Sequence, residues 1–336
     1  MSIHGALFSR PVLYGLGLSA ARACVLPRQL TTAAGLDLNS IRATFGGIGN
    51  GRVTLHVAPE HPEIAIIELS NKGRKNAFSP SMMVQLSDIV DQLEHAVNHG
   101  RSPKPAQNAS EGLNKLIGVI VKGESDSFCS GFDLSCSTEL VDPLQPEFGK
   151  QMSTLMHDTL QRFQKLPLIS IAAVEGYAIG GGAELTTACD HRVVAKNAIV
   201  RFVQVKMGVV PGWGGATRLT KILGKSKALQ VLSSSPKLSS DDCMAIGLAD
   251  AVADPGDAVE KSKRILNSYL GDAGDGTQHS PQIIRNMKRV VQYADDCHSI
   301  SESLTYERSI FQSLWAAEIN LTAIKNATKK REKTKL

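Results

Sequence analysis

Residues 174–192 read VEGYAIGGGAELTTACDHR, and the fold turns on how that stretch is understood. It sits at the exit of an apolar run, LISIAAV (168–174), and places Gly180, Gly181 and Gly182 just ahead of a lone carboxylate, Glu184. A short uninterrupted apolar run predicts a strand buried on both faces, the habit of parallel sheets. AELTTACD then predicts a helix. A strand that runs through glycines into a helix leaves backbone N–H groups unpaired at the helix start, where the macrodipole adds partial positive charge. With no Cβ in the way, a ligand can come close to that backbone. The guest would be a phosphate or the developing oxyanion of a carbonyl. The spacing matches neither G-x-x-x-x-G-K-[ST] nor G-x-G-x-x-G, the two nucleotide loops. The plain alternative is that the glycines only let strand and helix pack closely.

Upstream, a second buried run, LIGVIVKG (116–123), leads into a polar loop, ESDSFCSGFDLS (124–135), and a helical stretch, MSTLMHDTLQRFQKL (152–166). Strand, helix and strand in that order imply a right-handed parallel crossover and an α/β layer covered on both faces. Two glycine-bearing loops from neighbouring parallel strands converge at the carboxyl ends of the sheet, where α/β crevices form. RVTLHV (52–57) and IAIIEL (64–69) read as paired strands around APEHPE. Ser79 and Pro80 open a helix carrying Met83, Leu86, Ile89, Val90 and Leu93 on one face. The polar stretch 98–115 reads as a surface loop. HRVVA (191–195) and IVRFVQV (199–205) are further strand candidates, with His191 expected as a satisfied core histidine. GGATRLTKILG, KSKALQVLSS and SSDDCMAIGL read as helices, the last capped by Ser239 or Ser240. From Pro255 onward the pattern is nearly all helix. The chain therefore divides into a leader (1–36), an α/β core (50–255) and a C-terminal helical region with a basic tail (256–336).

The composition, 42% hydrophobic and 21% charged over 336 residues, suits a globular protein with a sizeable core. Of the formal charge of +5, three units come from Arg10, Arg22 and Arg28 in a leader without acids. What remains is too weakly basic for an electrostatic nucleic-acid footprint. No apolar run reaches the ~18 to 20 residues of a bilayer span. The Arg-, Ser- and Ala-bearing leader has the pattern of a mitochondrial transit peptide, which points to the matrix; a disordered tail on a cytosolic protein is the alternative. Cys24, Cys129, Cys136, Cys189, Cys243 and Cys297 show no CxxC pair or metal-ligand spacing, as expected of thiols in a reducing compartment.

Taken together, FCSGFDL (128–134), EGYAIGGGAELTTACDHRV (175–193), RFVQVKMGVVPGWGGATRLTKILGKSKALQVL (201–232) and LSSDDCMAIGLADAV (238–252) resemble the enoyl-CoA hydratase/isomerase (crotonase) superfamily. The resemblance runs from about Val53 to the C-terminus. It implies a core of repeated ββα units wound as a spiral and an acyl-CoA thioester substrate, so that coenzyme A arrives with the substrate and no separate cofactor is needed. It also implies trimers or paired trimers. The two backbone donors that hold the thioester oxygen fall, by this resemblance, on Phe132 and Gly181, with Gly131 and Gly180 beside them. NKGRKNAFSPSMM (71–83) matches the family's early loop beside the coenzyme, placing Lys75, Asn76 and Ala77 against it.

Hydratases of this family use two glutamates. The first matches Glu184; at the second position this chain has Gln204, and a neutral amide cannot take a proton from water. The run from Leu166 to Arg192, the tryptophan-bearing RFVQVKMGVVPGWGGATRL and the terminal ERSIFQSLWAAEINLTAIKN are most similar to members that decarboxylate ethylmalonyl-CoA and methylmalonyl-CoA. Losing CO2 leaves an enolate, which needs an oxyanion hole, a poorly solvating pocket and one proton donor. The resemblance thus makes Glu184 the acid, Trp213 a candidate apolar wall and Gln204 a pocket residue, with Asp133 more simply read as a carboxylate that caps its own loop. Alternatives are an enoyl-CoA isomerase working through Glu184 alone, a hydratase, or a non-catalytic acyl-CoA-binding relative.

Overall fold

A computed structural model describes residues 37–98, 113–138, 145–271 and 279–333. The leader, most of the 98–115 loop and the last residues of the basic tail lie outside them. The chain runs α1 (Leu38–Phe45), β1 (Arg52–Ala58), β2 (His61–Ser70), α2 (Pro80–Asn98), β3 (Gly118–Gly123), α3 (Pro146–Lys165), β4 (Ile169–Val174), β5 (Tyr177–Ile179) and α4 (Gly181–Thr186). There follow β6 (His191–Ala195), β7 (Ile199–Arg201), α5 (Gly215–Ser234), α6 (Ser240–Ile246), β8 (Ala251–Ala253), α7 (Ala258–Tyr269), α8 (Pro281–Asp296), α9 (Ile300–Leu314) and α10 (Glu318–Lys333).

One sheet has the order β1-β2-β3-β4-β6-β8, and β5 pairs with β7 in a second, two-stranded one. The β1–β2 hairpin is antiparallel and the remaining neighbours are parallel, as the long apolar runs of β3 and β4 imply. Period-two alternation splits the core. Ala65, Ile67, Leu69, Val119, Val121, Ala172 and Val174 face the layer that holds Met82, Leu86, Leu155 and Leu160 from α2 and α3. Ile64, Ile66, Ile120, Ile171 and Val193 face Ala258 and Leu266 of α7 and Ile284 of α8. Because α7 lies on the sheet, the switch to pure helix near residue 255 marks a change in element order while the sheet's second layer continues past it.

Several local expectations have visible causes. The Ser79 hydroxyl caps α2 by accepting from Met82 N, and Ser239 forms a capping box with Asp242 on α6. Within α5, Gly224 at φ 74° separates the two expected helical stretches. The expected strand 199–205 is shorter: β7 ends at Arg201, and Gln204–Met207 make a single 3-10 turn closed by Gly208 at φ 70°. β8, three residues long, carried too little pattern to be read. His191 is half-buried, its Nε2 2.8 Å from the Tyr269 hydroxyl and its Nδ1 3.6 Å from Asp250. The five cysteines among the described residues form no disulfide. No helix among those residues is long and apolar enough to cross a membrane.

At the carboxyl ends of β3 and β4 the two glycine loops zip together. Phe128 N donates to Glu175 O and Cys129 N to Tyr177 O, both at 2.8 Å, and Ile179 N returns to Cys129 O at 2.9 Å. This pairing requires glycine at 182, where a Cβ would stand 2.1 Å from the Cys129 carbonyl oxygen. Replacing it should therefore displace backbone. Gly182→Ala is expected to lower the unfolding free energy by about 1 to 3 kcal/mol. Gly149→Ala, inside α3 with open space around it, should raise it by about 0.5 to 1 kcal/mol. Urea midpoints with unchanged slopes would read both; equal small effects would show that the two loops are not held in this contact.

Candidate active site

The zipper fixes two backbone N–H groups. Phe78 pairs with the 131–133 segment as a one-residue parallel bridge: its N–H donates to Gly131 O at 2.7 Å and its carbonyl accepts from Asp133 N at 2.9 Å. In such a bridge the intervening residue faces away, so Phe132 N is left without an acceptor among the described residues. Gly181 N is likewise unpaired, because it opens α4 and the first intrahelical bond goes from Glu184 N to Gly180 O. The two segments touch: a Cβ on Gly131 would lie 2.8 Å from Ile179 O and 3.2 Å from Gly181 N. Gly180, at φ 55°, lets the chain turn from β5 into α4. Two free donors on abutting segments are suited to one oxygen that carries developing negative charge.

Glu184 lies on the first turn of α4, 2% exposed. Its Oε2 accepts from Trp213 N and Gly215 N, both at 2.8 Å, and its Oε1 accepts from Gln204 Nε2 at 2.7 Å. Burial pushes its carboxyl above the ordinary carboxylate range, against the opposing pull of those donors and of Arg218. The loop that supplies the donors is packed tightly. A Cβ at Gly215 would meet Glu184 Cγ at 2.4 Å, and one at Gly181 would meet the Trp213 indole at 2.7 Å. Trp213 is thus a buried wall against Gly181, and Phe78 meets it edge-on with centroids 5.7 Å apart.

Arg218, on α5, is a residue that sequence reasoning missed. Its guanidinium donates to Trp213 O at 2.6 Å and to Thr187 Oγ1 at 3.0 Å, and it approaches Glu184 O at 3.4 Å. It therefore ties the tryptophan loop to the far end of α4. Burial lowers its pKa to about 10, although Glu184 and Cys189 pull the other way. Its only signal in the sequence is a basic residue in an otherwise apolar helical start, GGATRL.

The early loop splits by role. Lys75 is exposed, with Nζ 3.9 Å from the centroid of the Tyr177 ring. Asn76 is buried: its side chain accepts from Asn71 N and donates to Glu124 O and Ser127 O. Both backbone groups of Ala77 are spent as well, on Arg74 O and on Asn71 Nδ2. Asn76 and Ala77 hold the loop in place, and Lys75 is the member of the trio with a side chain open to a ligand. Asp133 does what a loop cap does. It accepts from Ser135 N, Ser135 Oγ and Asn71 Nδ2, with Arg74 3.6 Å away. Phe148 of α3 packs against Phe132 with the rings tilted by 51° and their centroids 5.7 Å apart, which brings that helix to the site.

The family model described as enoyl-CoA hydratase/isomerase matches residues 106–332. The chain is 41% identical to ethylmalonyl-CoA decarboxylase of Mus musculus over 264 residues, covering 78% of this chain and 73% of the relative. It is 36% identical to ethylmalonyl-CoA decarboxylase of Homo sapiens over 297 residues, 88% of this chain and 87% of that one. The crystal structure of an enoyl-CoA hydratase from Bacillus anthracis superposes with a TM-score of 0.68 at 21% identity, over 83% of this chain and 96% of the other, which establishes a shared fold. The glycine zipper, the lone buried glutamate on α4 and the length of these matches lead to one conclusion: the chain belongs to the enoyl-CoA hydratase/isomerase family.

Proposed function

We propose that this protein decarboxylates short 2-alkylmalonyl-CoA thioesters, converting ethylmalonyl-CoA to butyryl-CoA and methylmalonyl-CoA to propionyl-CoA. The observation that carries the reading is the partner of Glu184. Where two-carboxylate hydration needs a second acid or base, the residue bonded to Glu184 is the amide of Gln204. Relatives of this chain bearing the name ethylmalonyl-CoA decarboxylase support the same reaction.

The chemistry follows from the geometry. The bond between the α-carbon and the carboxylate breaks, CO2 leaves, and the electron pair flows into the thioester carbonyl to give an enolate. Phe132 N–H and Gly181 N–H form the oxyanion hole that receives it; each such donor is typically worth ~2.7 to 4 kcal/mol of barrier. Because the thioester itself accepts the electron pair, the reaction calls for no added cofactor beyond the coenzyme A of the substrate. Trp213, packed behind Gly181, keeps water from that side and favours neutral CO2 over its anionic parent. Glu184 then gives its proton to the α-carbon. In this reading Lys75, exposed beside Tyr177, offers its cation to the coenzyme's phosphates.

Assembly and address are part of the proposal. Ile300, Leu304, Phe311 and Trp315 on α9 and its end, with Leu321 and Ile324 on α10, are exposed. A soluble chain covers such a surface by association, which supports a homotrimer or a pair of trimers. The leader would direct the protein to the mitochondrial matrix.

With ethylmalonyl-CoA, methylmalonyl-CoA, crotonyl-CoA and a 3-enoyl-CoA offered in parallel, the expected products are CO2 with butyryl-CoA and propionyl-CoA. Hydration of crotonyl-CoA or migration of the double bond as the main reaction would sink the proposal. Glu184→Gln should lower kcat by about 10²- to 10⁴-fold with little change in KM. In the wild type, kcat should fall as pH rises through the raised pKa of Glu184, since the acid must be protonated; the variant should lose that limb. Sedimentation should give a multiple of three chains, and a monomer that keeps full activity would contradict the assembly.

A further inference from the structure

Oε1 of Gln204 is buried and has no hydrogen-bond partner among the described residues, although the same amide donates from Nε2 to Glu184. A buried amide oxygen without a donor is a costly arrangement that calls for an explanation, and a ligand or a second state that supplies the partner is one. The surroundings narrow what that state is. Both backbone donors reach Oε2 of Glu184, so a proton on this carboxyl has to reside on Oε1. The group facing Oε1 is Gln204, whose amide oxygen can accept from a protonated Oε1 once the amide turns. Rotation about the terminal torsion exchanges the two ends of a glutamine amide at little cost, because that torsion is broad and roughly two-fold.

We infer that Gln204 is an amide relay between substrate and acid. Resting on the decarboxylase reading, the relay works as follows: with an alkylmalonyl thioester bound, Nε2 donates to the substrate carboxylate while Oε1 accepts the proton of Glu184. A carboxylate offers acceptors alone, so its arrival selects the orientation in which Gln204 presents N–H to it. That orientation turns the carbonyl to Glu184 and favours the protonated acid. The carbon–carbon bond then breaks, CO2 departs, the enolate forms, and the Oε1 proton moves to the α-carbon. Glu184 is left as a carboxylate, and the amide turns back to donate Nε2 to it, the arrangement seen here. One proton from solvent restores the acid in each cycle. A glutamate at 204 could not serve both partners, because it would repel the substrate's anion.

The electrostatics agree. Arg218, on α5, is the charged side chain set against Glu184, and the other groups packed on the carboxyl are the Trp213 and Gly215 N–H groups and Gln204 itself. Cys189, which faces Arg218, is pushed up to about 12 by burial and stays neutral. Burial outweighs the donors and Arg218 and raises the Glu184 pKa above its ordinary value.

The test is Gln204→Met, which keeps the length and removes both polar ends, beside Gln204→Glu, which keeps the shape and removes the N–H. Affinity for ethylmalonyl-CoA and for butyryl-CoA, CO2 release and the pH profile of kcat are measured for each. The relay requires that Gln204→Met weaken ethylmalonyl-CoA about ten- to hundredfold and leave butyryl-CoA, which has no carboxylate, nearly unchanged. It also requires the alkaline limb of kcat to move to lower pH, because the protonated acid has lost its acceptor. Gln204→Glu should likewise bind butyryl-CoA normally and lose affinity for ethylmalonyl-CoA. An alkaline limb that stays in place or moves to higher pH, or equal weakening of both esters, overturns the relay and leaves Gln204 as a fixed donor to Glu184. A wild-type protein that releases no CO2 from either malonyl thioester overturns the decarboxylase reading and the relay with it.

Discussion

The pairing of the 128–130 backbone with Tyr177 and Ile179 is the contact on which the rest of the site depends. It joins the exits of two parallel strands, fixes the start of α4, and brings Gly131 against Gly181. Without a Cβ at 182 the Cys129 carbonyl can sit over the helix start, and two unpaired N–H groups on abutting segments result. The Gly181 donor is one that any helix start leaves over, and the Phe132 donor is left by the one-residue bridge to Phe78. The zipper thus holds two unpaired donors side by side on a rigid scaffold.

Behind that turn lies a buried carboxylate whose environment pulls in two directions. Low polarity favours the neutral form of Glu184, while three hydrogen-bond donors and Arg218 favour the anion. A group balanced in this way is suited to exchanging a proton. Arg218 adds a mechanical connection, since its guanidinium binds the carbonyl of Trp213 and the hydroxyl of Thr187 at once. Movement of the tryptophan loop and of α4 is therefore coupled through one side chain, and the acid and the Gly181 donor stay in register.

Much of this was legible in the sequence because it is written as continuous local pattern. The apolar runs of β3 and β4, the caps Ser79 and Ser239, and the glycine-rich exit before Glu184 each have a direct physical reading. The partnership of Glu184 with residue 204, and the place of Phe132 beside Gly181, came from resemblance, since the contacts join segments 20 and more positions apart. Less was legible where the function of a residue depends on distant partners. Asn76 looks like a ligand-facing polar residue in its loop, yet its amide is consumed by Asn71, Glu124 and Ser127. Arg218 has only a faint local signature, a basic residue in GGATRL, because its acceptors, the Trp213 and Glu184 carbonyls and the Thr187 hydroxyl, lie on segments that no local pattern connects to it. The expected strand at 199–205 ended early because Gly208 adopts the left-handed region and closes a turn at Gln204–Met207. β5 and β8 were too short to show a period.

The central claim is that an enolate held by Phe132 and Gly181 receives its proton from Glu184. The most direct measurement is decarboxylation of ethylmalonyl-CoA in D2O, with the position and face of deuterium in butyryl-CoA read by NMR. A single deuterium on one prochiral face of the α-carbon in the wild type, with that selectivity lost in Glu184→Gln, is the expected result. Deuterium distributed over both faces in the wild type, or unchanged selectivity in the variant, would mean that the proton comes from solvent or another group and would contradict the account.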